Sequence, residues 1–212
     1  MANNVAKYGF RYKGNLEGGQ APRPIEYTVA TTYHAQVSAT DVDLNIGDPV
    51  QLSTDGTVVL ASGATTGRFL GVIVSINNAR VDSNGYSRPA ARLPAGTTWS
   101  TEDTRSKVGV IPFGRNFWEI DVDDNVTATT LAAYRLLINE NCDLSYTLDT
   151  TNSLKPKATP RLDISTHVTS TADFRIIDIS HTAENQDFSG TGVKLIVMVN
   201  ESGEAPFNAT GS

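Results

Sequence analysis

The side chains best suited to start covalent or proton-transfer chemistry are one cysteine, Cys142, and three histidines, His34, His167 and His181. A nucleophile needs a base held beside it and oriented by a third group. His34 falls on the polar side of an alternating run, His167 in a Thr/Ser-rich stretch and His181 just past a β-rich run. None has a neighbour in sequence that completes such a constellation, so no catalytic residue is expected. A single cysteine also excludes an intrachain disulfide and any multi-cysteine metal site. Oxygen ligands look closer at first: Asp41-Val42-Asp43-Leu44-Asn45 begins like a calcium loop, but Ile46 occupies the sixth position, Gly47 comes one residue late, and Leu52 stands where a bidentate glutamate is required. A turn feeding a hairpin is the simpler reading. Asp121, Asp123 and Asp124 read as a solvated strand end leading into a helix. Gly190-Thr191-Gly192 lacks the third glycine of a dinucleotide fingerprint and no Gly-Lys-Ser/Thr occurs, so no cofactor is implied.

The charge distribution points instead to a binding role. Of 212 residues, 17 are Lys or Arg and 23 Asp or Glu, a net charge of −6 that disfavours a nucleic-acid partner. No run approaches the roughly 20 apolar residues of a membrane span, and the first residues lack an apolar secretory segment. Residues 1–25 contain Lys7, Arg11, Lys13 and Arg23 against Glu17 alone, so a basic tip precedes an acidic body. Within the tip, Lys7, Tyr8, Phe10, Arg11, Tyr12 and Lys13 form a basic-aromatic segment suited to draw a partner by charge and anchor it by ring burial. Gly9, Gly14, Gly18, Gly19 and Ala21-Pro22-Arg23-Pro24 favour extended backbone, so residues 1–26 read as an arm. Fully extended, it reaches up to about 85 Å, against a body gyration radius near 17 Å. Terminal disorder is the plainer alternative.

The elements behind the tip are mostly strands. From Glu26 to Val37 the chain alternates, with Tyr27, Val29, Thr31, Tyr33, Ala35 and Val37 on one side. Pro49–Thr54 and Thr57–Leu60 flank Asp55-Gly56 and predict a hairpin. Phe69–Ile76 reads as a core strand with Gly71 at a bulge or close approach. Val108–Phe113, Phe117–Val122, Leu144–Leu148, Leu162–Ile164, Phe174–Ile179 and Val193–Val199 are further β runs. One helix is predicted over 128–138, capped by Thr127 or Thr129, with Leu131, Tyr134, Leu137 and Ile138 as its apolar stripe and Asn139 and Asn141 at its end. About nine strands and one helix give an all-β body, a single β-barrel or β-sandwich spanning 27–200, followed by a loose tail over 201–212.

Residues 77–107 interrupt this pattern with a long excursion in which Asn78, Asp82-Ser83-Asn84-Gly85, Pro89, Pro94 and Gly96 break any periodicity. Arg88, Arg92, Trp99 and Tyr86 could serve there as anchors on a partner surface, or the segment could fold back on its own domain as a hairpin extension.

The run Asn45-Ile46-Gly47-Asp48-Pro49-Val50-Gln51-Leu52 into Asp55-Gly56-Thr57-Val58-Val59-Leu60, followed by Phe69-Leu70-Gly71-Val72-Ile73, resembles the head decoration or capsid cement proteins of tailed bacteriophages. So does the later order of Phe117–Val122, the small helix, Leu162–Ser165, Glu184–Phe188 and the last strand; the likeness covers roughly residues 27–206. It implies a non-enzymatic virion protein on the outer surface of the capsid that binds the major capsid protein and clamps neighbouring subunits. It also implies self-association as a homotrimer, with a dimer as the lesser alternative. A tail or receptor-binding β-module recognising carbohydrate through Trp99 and Tyr86 is the competing reading.

Overall fold

A computed structural model describes residues 9–30, 44–61, 69–81, 87–90, 92–93, 107–123, 128–148, 158–168, 172–189 and 192–200. Among the described residues the chain is all-β with one short helix. Its strands are β1 (Arg11–Asn15), β2 (Ile25–Thr28), β3 (Leu44–Asn45), β4 (Pro49–Leu52), β5 (Val58–Leu60), β6 (Phe69–Val81), β7 (Ser87–Ala90), β8 (Arg92–Leu93), β9 (Lys107–Pro112), β10 (Asn116–Asp121), β11 (Asn141–Leu148), β12 (Ala158–Val168), β13 (Phe174–Ile179) and β14 (Lys194–Val199). Helix α1 (Leu131–Leu136) lies between β10 and β11.

Two antiparallel sheets carry the body. The first has the order β1-β10-β14-β13-β11-β12, and the second β2-β9-β6-β4-β5, with β7 pairing the far end of β6. Each sheet also touches itself: Val122 makes a parallel bridge to Leu162 of β12, and Val29 one to Val58 of β5. These bridges cover backbone on strands that would otherwise end their sheets. Trp118, Ile120, Leu162, Ile164, Phe174, Ile176, Leu195 and Val197 of the first sheet share one core with Phe69, Val72, Ile111 and Phe113 of the second. The opposite face of the second sheet builds a smaller core from Val29, Leu44, Val50, Val58, Ile73, Ile76, Val108 and Val110. Two-sided burial explains why β6 and β9 read as continuous apolar runs.

The hairpin forms where predicted, with Val50 opposite Leu60 and Leu52 opposite Val58. Its turn differs in kind. Gly56 N donates to Ser53 O, Ser53 N donates to Thr57 O, and of the pair Asp55-Gly56 only Gly56 has positive φ, at 79°. This is a type I turn closed by a left-handed glycine, and not a two-residue loop with both centres left-handed. Gly71 is the close approach expected of it, since a Cβ there would sit 2.2 Å from Ile111 O.

Helix α1 is shorter than predicted, and its cap is Thr130 instead of Thr127 or Thr129. Thr130 is extended (φ −141°, ψ 154°) and its Oγ1 accepts from Ala133 N at 3.2 Å, satisfying a first-turn donor. Tyr134 and Leu137 are buried; the helix closes at its C-cap Leu137 and not at Asn139 or Asn141, Asn139 (φ 75°) lying in the turn beyond it. The excursion over 77–107 folds back in part on its own domain: β6 runs on to Val81, β7 pairs with it, and β8 pairs with β3.

The largest correction concerns the arm. Residues 11–15 are strand β1, paired with β10, and residues 25–28 are strand β2, paired with β9. The segment from Gly9 onward therefore belongs to the body. Of the alternating run over 26–37, the structure describes only the part through Ala30, where β2 gives way to the Val29 bridge. Residues 31–43 and the predicted tail over 201–212 lie outside the described residues.

Candidate functional site: the N-terminal strand and its buried carboxylate

The basic-aromatic segment is seated by a turn. In Asn45-Ile46-Gly47-Asp48, the Asp48 carboxylate accepts from Asn45 N at 2.7 Å and from Asn45 Nδ2 at 3.1 Å. Gly47, at φ 95°, donates to Ile73 O, and Ile73 N donates to Asp48 O, so the turn is tied to β6. Its outward carbonyl, Gly47 O, accepts from Phe10 N at 2.8 Å. Residue 9 must be glycine at this crossing, because a Cβ would meet Pro160 Cγ at 2.2 Å and Gly47 O at 2.7 Å. Asn45 is thus a turn residue whose amide is used by Asp48. Asp41 and Asp43 lie outside the described residues.

From that anchor, strand alternation sends Phe10 and Tyr12 to one face and Arg11 and Lys13 to the other. The Phe10 ring is 3% exposed and lies 5.0 Å from Phe174, 5.3 Å from Phe113 and 6.4 Å from Trp118, mostly edge-on. Tyr12 meets Trp118 edge-on at 5.7 Å. These two rings fill a pocket of their own chain, which corrects their assignment as anchors for a partner.

The other face holds a carboxylate taken out of water. Glu119 on β10 is opposite Arg11 in register and has no exposed surface. Arg11 Nη2 lies 2.8 Å from its Oε1 and Lys13 Nζ 2.9 Å from its Oε2. The Ser180 hydroxyl donates to the same Oε2. Asp121 lies 3.6 Å from Arg11 Nη2, and the buried Lys194 of β14 stands opposite Asp121 in register. Asn185 holds the β13–β14 connection in place, donating to Ser180 O and Lys194 O and accepting from Lys194 N, at 2.8 to 2.9 Å. Burial pushes the Glu119 carboxyl upward, but the Ser180 hydroxyl, the Lys13 ammonium and the Arg11 guanidinium outweigh it and leave it below the ordinary glutamate value. Glu119 is therefore an ionised carboxylate with a cation against each oxygen and the Ser180 hydroxyl on Oε2. Such a group fixes a strand; it is not poised to exchange protons near neutrality. Arg11 and Lys13 pair with this carboxylate while each keeps a third or more of its side-chain surface exposed.

The remaining predicted contacts divide by position. Arg88 is on β7 and Arg92 on β8, opposite Asn45 in backbone register. Lys7, Tyr8, Tyr86 and Trp99 lie outside the described residues. Glu119, Ser180, Asn185 and Lys194 were not among the predicted residues. The signal that reaches them is the alternation Tyr8, Phe10, Tyr12 against Arg11 and Lys13, which marks a strand with one apolar and one cationic face, to be matched by the Glu119–Asp121 face of another strand.

Of the residues weighed for catalysis, three are among the described residues. Cys142 is fully buried, and burial, followed by Glu140, Asp143 and other nearby carboxylates, pushes its thiol up to about 12. The folded protein is therefore expected to leave a small thiol reagent unreacted at pH 8 and to consume one equivalent once denatured; prompt labelling of the native chain would contradict this. His167 Nδ1 donates to Ile164 O at 2.7 Å, while its Nε2 is 3.8 Å from Glu140. His181 is a surface side chain 3.6 Å from Asp178, and His34 lies outside the described residues. Among the described residues no group of three or more His, Cys, Asp or Glu side chains is arranged to hold a metal ion, and no helix is long and apolar enough to cross a membrane. Comparison with protein-family models, curated proteins and solved structures finds no match to this chain.

Proposed function

We propose that this chain is a non-enzymatic structural protein that decorates the exterior of an assembled bacteriophage head, as a homotrimer that clamps neighbouring major capsid subunits. One observation carries the reading. In the described parts of the run Asn45 to Ile73, on which the resemblance to capsid cement proteins rests, the Asn45–Asp48 turn, β4, β5 and β6 are bonded to one another. The motif is thus a structural signature of the body rather than an isolated string of residues. The burial of Cys142 and the use of Glu119 as an internal anchor favour a scaffold over a reaction centre.

With Phe10 to Lys13 committed to the body, the capsid contact falls to Lys7 and Tyr8 on the first eight residues, which reach up to about 28 Å when extended, and to Arg88, Arg92 and Trp99 of the 77–107 excursion. The test is cosedimentation of the purified protein with capsids lacking it, comparing the full chain, a chain deleted over residues 2–8, and an Arg88→Gln/Arg92→Gln/Trp99→Ala variant. Saturable, stoichiometric binding of the full chain, weakened in either variant with an unchanged melting temperature, is expected. Failure of the full chain to sediment with any such capsid refutes the reading.

A further inference from the structure

We infer that β1 is an exchangeable strand, able to leave its slot beside β10 and fill the same slot in a second copy of this chain. The inference concerns the isolated protein and stands apart from any capsid. Strand β1 is the outermost strand of its sheet, held by one ladder of four Cα pairs whose register slips between Tyr12 and Gly14. It is joined to β2 in the other sheet by Leu16 to Pro24, a stretch exposed throughout except at Pro22. One bond ties the start of this connection to the body, Leu16 N donating to Arg115 O; beyond it the bonds are local, Gly18 N donating to Asn15 O, Gly19 N to Asn15 Oδ1 and Asn15 Nδ2 to Gln20 O. Gly18 already has a φ of 67° and meets nothing that a Cβ would strike. Nine such residues span roughly 30 Å when extended, enough to carry β1 from its own body to that of an adjoining copy.

The slot also specifies its occupant. It presents Phe113, Trp118 and Phe174 to a ring on one face, and on the other a Glu119 carboxylate that Arg11 and Lys13 neutralise, with Gly47 O aimed at a backbone N–H. A strand with aromatic and cationic side chains in strict alternation, preceded by a glycine small enough to pass Pro160, meets every one of these demands. Another copy of β1 does so by construction. An emptied slot would expose the ring cluster and leave a buried carboxylate unpaired, so a released strand is replaced and not simply lost. Exchange reproduces every contact between chains, and its balance is set by protein concentration and by the linker.

The test is disulfide capture in the full chain. Gly14 lies opposite Phe117, and a Cβ at Gly14 would meet only Phe117 Cδ2, at 4.0 Å. A Gly14→Cys/Phe117→Cys protein is oxidised over a series of concentrations and run on a non-reducing gel, with Gly14→Cys alone as the measure of random collision. Links between chains, above that control and rising with concentration, are expected; links confined to single chains at every concentration overturn the inference. As a second readout, a labelled peptide of residues 8–16 is incubated with the unmodified full chain. One-to-one binding that is lost when the peptide carries Phe10→Ala supports exchange, and no binding overturns it.

Discussion

Replacing Phe10 by alanine is expected to lower the melting temperature by roughly 6–20 °C. The ring is buried among Phe113, Trp118 and Phe174 and packed by strands of both sheets, so its removal leaves a cavity that a short edge strand cannot close. Truncations of this kind cost about 3–5 kcal/mol, and a domain of this size loses about 2–4 °C per kcal/mol. Leu16 provides the internal control: only a few residues away and 55% exposed, its replacement by alanine should stay within about 0.5 kcal/mol of neutral. A scanning calorimetry comparison of Phe10→Ala, Leu16→Ala and the unmodified chain checks both. Deletion of residues 2–8 should leave the melting temperature unchanged, whereas deletion through Lys13 should abolish cooperative unfolding. If residues 9–13 were a tail, all of these variants would melt alike.

The second large effect belongs to Glu119. Substituting alanine removes the carboxylate that Arg11 and Lys13 share and leaves the Ser180 hydroxyl without its acceptor. Losing one partner of a buried ion pair costs about 3–5 kcal/mol. Here the lower end applies, because both cations keep about a third of their side-chain surface in water and can be resolvated. The effect has a definite pH signature. The folded carboxyl titrates below its ordinary value of 4.5, so its contribution is fully present above that value and is lost as pH falls through the lower folded value. The difference in melting temperature between the unmodified protein and Glu119→Gln should therefore be constant from pH 6 to 8 and shrink below about pH 4. A difference that grew on acidification would mean that the group is held neutral, contrary to the ion pairing seen here.

How much of this was legible in the sequence depends on whether the decisive partner was near or far along the chain. The hairpin around Asp55-Gly56, strand β6 and helix α1 follow from local pattern, because turn chemistry and periodicity are local properties; even so, the turn type and the cap residue were settled by backbone bonds that composition does not reveal. Strand β1 was missed although its alternation was present, since five residues containing Gly14 at a register slip make a weak strand by propensity. Its charge was read as aimed outward for the same reason. In β10, the face of Phe117, Glu119 and Asp121 carries two carboxylates in sequence yet is largely closed to solvent in the fold, and only the pairing of β1 with β10, about a hundred residues apart, brings the two charge patterns together. Ser180 and Asn185 are ordinary polar residues of a connection until β13 and β14 place the Ser180 hydroxyl on Glu119 and the Asn185 amide on the Ser180 carbonyl.

Amide hydrogen exchange across residues 9–16 tests most directly whether the basic-aromatic segment is part of the body. Phe10 N is bonded to Gly47 O and β1 is laddered to β10, so peptides covering residues 10–15 should be protected to within about tenfold of those covering 116–121, and Glu119→Ala should release the first set more than the second. Exchange of residues 10–15 at the rate of an unstructured peptide, with 116–121 still protected, would contradict the account.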